Sequence, residues 1–108
     1  MREIACNRRE SAADCEEPGD FAWRVCSERD TDGDACGWRN PKEGERPTHL
    51  YLVNPEGARA FLAIRPEKQA NGASWEWNGD LDRPSLKPSI NDPGGWHGWL
   101  GNGVLTDA

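Results

Sequence analysis

Two apolar runs, His49-Leu50-Tyr51-Leu52-Val53 and Ala60-Phe61-Leu62-Ala63-Ile64, have the length and the β-branched and aromatic content of strands. Asn54-Pro55-Glu56-Gly57 between them supplies turn chemistry, which predicts a hairpin. Both runs are apolar on both faces, which predicts positions at the centre of a sheet. Elsewhere the period is two. Phe21, Trp23 and Val25 alternate with polar or small residues, as do Trp75 and Trp77 around Glu76, so each set predicts one apolar strand face. After Trp77, Asn78-Gly79-Asp80 can leave the strand through positive φ, and Pro84 and Pro88 hold the next stretch extended and out of a ladder interior. Near the C-terminus Asn102-Gly103 is a strong signal for a two-residue hairpin turn. It sets Leu100 opposite Leu105 and Trp99 opposite Thr106. Alternation then puts His97 and Trp99 on one face with Val104 and Thr106, and Trp96 and Leu100 on the other with Leu105.

These elements predict one mainly β domain of 108 residues: three to five short antiparallel strands around a Trp-rich core, in a β-rich region at 46–108. An acidic, irregular, cysteine-containing segment at 1–45 precedes it. Composition supports the aromatic core. Leu, Ile, Val and Phe number only 15, whereas six Trp are present, each able to bury roughly 150–250 Å². Trp75, Trp77, Asn78, Gly79, Asp80, Pro84, Pro88, Asn102 and Gly103 are the expected structural set.

The net charge of −6 is concentrated at the front. The first 45 residues hold 12 acidic and 7 basic residues, and the remainder hold 7 and 6. A basic stripe that could neutralise phosphates is absent from the pattern, which argues against direct nucleic-acid binding and against anionic membrane surfaces. No run reaches the ~18 apolar residues of a spanning helix, and no apolar signal region follows Met1. The expectation is a cytoplasmic protein.

All four cysteines, Cys6, Cys15, Cys26 and Cys36, lie in the front segment. Two loops, each with a cysteine at both ends, could present four thiolates to one tetrahedral zinc, although the usual C-x2-C spacing is missing. Free thiols and disulfides are the other two states open to them, and a cytoplasmic setting disfavours disulfides. Glu28 to Asp34 resembles the start of a calcium loop, with Gly33 at the sixth place. Arg39 stands at the twelfth, where a bidentate Glu is needed, so a solvated acidic turn is the better reading.

Trp75-Glu76-Trp77-Asn78-Gly79-Asp80, then Pro84-Ser85-Leu86-Lys87-Pro88-Ser89-Ile90 and Trp96-His97-Gly98-Trp99, together resemble a family of small phage and prophage proteins of unknown function, some labelled ammonia monooxygenase. The resemblance covers roughly His49 to Leu105. It implies a zinc site made by a C-P-x-C knuckle and a Cys-His pair. Here those positions read Asn54-Pro55-Glu56-Gly57 and Trp96-His97, so His97 alone matches and the implied site does not carry over.

An enzyme is the least favoured class at this level. A hydrolase needs a nucleophile with a positioned base, and the histidines are His49 and His97 only. Ser85 and Ser89 each follow a proline in an extended stretch, a poor nucleophile elbow, and are expected to bond local backbone. His97 is expected to pack beside Trp99 and bond backbone. What remains is a non-enzymatic phage or prophage accessory protein acting through a protein partner. The alternatives are an acidic phage inhibitor of a host nucleic-acid-binding defence protein and an enzyme of unknown reaction. Trp38, Trp96 and His97 are candidate anchors for a protein partner, and Asp30, Asp32 and Asp34 candidate steering charges.

Overall fold

Alternation of apolar and polar residues along short strands builds two sheets and one core between them. The computed structural model describes residues 2–26, 38–69, 72–91 and 95–108. Among these the strands are β1 (Glu3–Ala5), β2 (Asn7–Arg8), β3 (Asp20–Cys26), β4 (Trp38–Arg39), β5 (His49–Val53), β6 (Arg59–Ala63), β7 (Glu76–Trp77), β8 (Leu86–Asn91), β9 (His97–Gly101) and β10 (Val104–Asp107). One sheet runs β1-β10-β9-β8-β7, antiparallel throughout. The other runs β2-β3-β5-β6, with β4 also pairing β3 and only the short β2–β3 pair parallel.

The protein is mainly β, as its patterning predicts, and the described strands number ten rather than three to five. Much of the difference comes from the front segment. Its β1 pairs with the last strand, Ile4 opposite Leu105, and its β3 lies inside the second sheet with Phe21 opposite Leu52. The expected β5–β6 hairpin forms, with Leu50 opposite Leu62, but only β5 is central. β6 is an edge strand. The end of that edge is covered by backbone from the following segment: Trp75 N–H donates to Ala63 O at 2.9 Å, and Arg65 N–H to Trp75 O at 2.9 Å.

The facing sides of the two sheets share one cluster. Phe21 and Trp23 of β3, Leu50 and Leu52 of β5, and Leu62 of β6 meet Leu86 and Ile90 of β8, Leu100 of β9 and Leu105 of β10, with Trp75 and Trp96 between. Trp23 and Trp77, from opposite sheets, touch with ring centroids 4.7 Å apart. Each indole that reaches this core finds an acceptor, Trp23 at Leu81 O (2.9 Å) and Trp77 at Asp80 O (3.0 Å), so no N–H of this pair is left unpaired by burial. The turn after Trp77 uses Gly79 at φ +87°, and Asn102 and Gly103 both take positive φ in the last hairpin. Its register matches the one read from Asn102-Gly103: Leu100 opposite Leu105, Trp99 opposite Thr106.

Candidate functional site

The outer side of the first sheet faces solvent, and its chemistry follows from strand alternation. Along β8, Leu86 and Ile90 point inward, which turns Ser89 and Asn91 outward. Along β9, Gly98 and Leu100 are buried, which turns His97 and Trp99 outward. β8 and β9 are antiparallel neighbours with Asn91 directly opposite His97 and Ile90 opposite Gly98. Ser89, two residues from Asn91 on the same face, is therefore the diagonal neighbour of His97, a spacing that long side chains can bridge. They do bridge it: His97 Nε2 lies 3.1 Å from Ser89 Oγ.

Local packing holds both residues. The Trp75 indole N–H donates to the carbonyl of Ser89 at 3.4 Å. The carbonyl of His97 accepts from Ala108 N–H at 3.0 Å, and the preceding Trp96 donates its indole N–H to Asp107 Oδ1 at 2.9 Å. Gly98 is required between His97 and Trp99. A Cβ there would lie 2.2 Å from Thr106 O and 2.2 Å from the Trp96 ring, so only glycine lets that ring lie flat beneath β9.

With the ring proton on Nδ1, His97 Nε2 is an acceptor for the Ser89 hydroxyl, the arrangement of a nucleophile and its general base. Nδ1 makes no hydrogen bond among the described residues, so the pair is a dyad there rather than a triad. The expectation that Ser89 would bond local backbone and that the His97 ring would bond backbone is thus corrected, since the two side chains bond each other. Ser85 does bond backbone, but not local backbone: its Oγ accepts from Asn102 N–H, 17 residues away, at 2.7 Å. An elbow is one way to expose a serine, and an open sheet face is another. Inward Ile90 was the legible signal that Ser89 points out. Its pairing with His97 needed the register of β8 on β9, which includes a shift between Leu86 and Ile90.

The other candidates scatter. Trp96, expected as a surface anchor, is 2% exposed in the core, whereas Trp99 is the exposed tryptophan at 50%. Trp38 is half-buried on the outer side of the second sheet, stacked on Phe61 at 4.5 Å and edge-on to His49 at 4.6 Å. Asp30, Asp32, Asp34 and Cys36, and the calcium-like stretch, lie outside the described residues. Cys6 and Cys15 are free thiols and Cys26 is disulfide-bonded, so three of the four cysteines do not converge as thiolates. Burial pushes the Cys6 thiol up to about 12 and the Cys15 thiol up to about 11, which keeps both protonated near neutrality. Among the described residues no group of three or more His, Cys, Asp or Glu is placed to hold a metal ion. No helix among them is long and apolar enough to cross a membrane.

A family model described as bacterial ubiquitination-like system serine protease (BubE) matches residues 39–107, more than half of the chain and inclusive of Ser89 and His97. The chain belongs to the BubE family. Nothing among curated proteins or solved structures matches it. Within the BubE-matched region lie β5 to β10, and with them β8 and β9, which carry the serine and the histidine. The front strands outside the match still contribute to the BubE-like fold, because β1 closes one edge of that sheet and β3 supplies Phe21 and Trp23 beneath it.

Proposed function

We propose that this protein is a serine hydrolase of a bacterial ubiquitination-like system, with Ser89 as nucleophile and His97 as general base, acting on an acyl bond of a protein substrate. The observation that carries the reading is the 3.1 Å contact between His97 Nε2 and Ser89 Oγ on an open sheet face. The family description agrees with it in naming a serine protease. In the reaction His97 Nε2 takes the Ser89 proton as the Oγ–carbonyl carbon bond forms. The proton then passes to the leaving group as the scissile bond breaks, leaving an acyl-serine. Water, deprotonated by the same His97, attacks that ester and releases the acid and free Ser89.

The test is labelling of the whole chain with a fluorophosphonate probe, which reacts with activated serines. The label is expected on Ser89 by peptide mapping, lost in Ser89→Ala, and slowed by ~10²-fold or more in His97→Ala with unchanged circular dichroism. Label on another residue, or equal rates for His97→Ala and wild type, would remove the reading. It would leave the non-enzymatic one, a module that binds a protein partner, for which the half-exposed Trp99 is the candidate anchor.

A further inference from the structure

The outer face that carries Ser89 and His97 is hollowed by a bulge. Leu86 pairs with Leu100 and Ile90 with Gly98, so three β8 residues, Lys87, Pro88 and Ser89, stand opposite the single β9 residue Trp99. With Leu86 and Ile90 buried, alternation turns Lys87 and Ser89 outward on the same face as Trp99. Extra residues of this kind bend one strand of a ladder and re-aim its side chains, and they recur beside active sites. Here the ladder opens into a hollow of about 630 Å³, bordered by Lys87, Pro88, Trp99, Gly101 and Arg65. Trp99 is two residues along β9 from His97, so the hollow begins roughly 7 Å from the base.

The charge of this hollow is opposite to that of the chain. No carboxylate lines it, although the protein carries a net −6. Lys87 and Arg65 are both exposed, and neither makes an ion pair among the described residues. Glu76 stands opposite Lys87, but on β7, the side of β8 away from Trp99. The Arg65 guanidinium donates one N–H to the carbonyl of Ser74 at 3.4 Å. We infer that this hollow is a substrate subsite for an acidic side chain within about two residues of the attacked carbonyl, its methylenes on the Trp99 ring and its carboxylate toward Lys87 and Arg65. The assignment rests on Ser89 being the nucleophile. The distance follows from reach, since an extended substrate advances about 3.3 Å per residue. Two cations without a counter-charge attract a carboxylate and repel Lys or Arg at the same place. Because both are exposed, each is worth only about 2–5-fold in selectivity, and salt weakens it.

The experiment is cleavage of a short-peptide library by the full chain, with cut sites read by mass spectrometry, for wild type, Lys87→Glu, Arg65→Glu, Trp99→Ala and Ser89→Ala. Lys68→Glu, an equal charge change at an exposed residue outside the hollow, is the control. Fluorophosphonate labelling of the same samples reports on the nucleophile separately. Wild type is expected to cut beside Asp or Glu at least ~5-fold more often than beside Lys or Arg, and less selectively at high salt. Lys87→Glu and Arg65→Glu should each lower that ratio by about 2-fold or more, and Lys68→Glu should leave it where it was. Trp99→Ala should raise KM for acidic peptides several-fold with unchanged circular dichroism, because the ring is half-exposed. Ser89-dependent cutting without an acidic preference, or a ratio moved as much by Lys68→Glu as by Lys87→Glu, overturns the subsite and leaves the nucleophile standing. So does labelling of Ser89 with no library peptide cut, since a site that reads one side chain acts on short peptides. Absence of both the label on Ser89 and Ser89-dependent cutting overturns both readings.

Discussion

Trp96 and Asp107 are joined by an indole N–H to carboxylate hydrogen bond of 2.9 Å, and the same carboxylate receives the Arg2 guanidinium at 3.0 Å. One acidic residue thus links the first residue of the described chain, the last strand, and the tryptophan that immediately precedes His97. The bonds from Arg2 and then Trp96 hold the Asp107 carboxyl well below the usual carboxylate range. Replacing Asp107 by Ala should lower the melting temperature and also the labelling rate of Ser89, because Trp96 anchors the start of β9. Asp107→Asn, which keeps an acceptor for the indole, should recover part of both. Equal behaviour of the two variants would show that the charge rather than the acceptor matters.

Gly98→Ala is the substitution expected to be least tolerated on the first sheet. The new methyl meets a backbone carbonyl at 2.2 Å, and backbone cannot give way as a side chain can. Overpacking of this kind costs roughly 1–3 kcal/mol and occasionally more. Chemical denaturation of the purified variant measures it, and stability equal to wild type would mean that β10 shifts away freely.

Trp75 and Trp77 share a strand face but not a burial. Trp75 is 7% exposed, whereas Trp77 is half-buried at the rim against Trp23 and the Arg46 guanidinium. Trp75→Ala should cost roughly 3–5 kcal/mol, as loss of a buried ring does, and Trp77→Ala less. Since Trp75 also donates to the Ser89 carbonyl, only its loss should slow fluorophosphonate labelling. The reverse order in denaturation midpoints would contradict the packing.

Acid should destabilise the protein progressively. Burial would raise the Asp20 carboxyl, but the N–H groups of Glu16 and Glu17, each at 3.1 Å, and the Arg9 guanidinium at 3.3 Å outweigh it and hold its pKa low. Hydrogen bonds from Arg39 hold Glu45 at about 2. Folded pKa values below the unfolded ones mean that this stability is complete above about pH 4–5 and is lost as pH falls toward 2. Melting temperatures should be level down to about pH 5 and drop below it. Asp20→Asn should melt lower at neutrality and show a shallower acid decline; an unchanged decline would assign the effect to other carboxylates.

Hairpins and faces were legible in the chain because they are local. Asn102-Gly103 dictates its turn through positive φ, and that turn sets which of Trp99 and Leu100 lies opposite Thr106. Period two likewise separates Trp96 from His97 and Ser89 from Ile90. What alternation cannot say is which of two faces the rest of the molecule covers. Trp96 is buried and Trp99 is exposed because the second sheet, carrying Phe21, Leu50 and Leu62, packs on one side only. The front segment looked irregular for a similar reason. Its first strand finds its partner at the far end of the chain, Glu3 at Thr106 and Ile4 at Leu105, and no local pattern encodes a pairing across that distance. The meeting of Ser89 with His97 belongs to the same class. Seven intervening residues and a register shift in β8 lie between a sequence that names both side chains and a sheet that brings them to 3.1 Å, and the slip of one residue would send them to opposite faces.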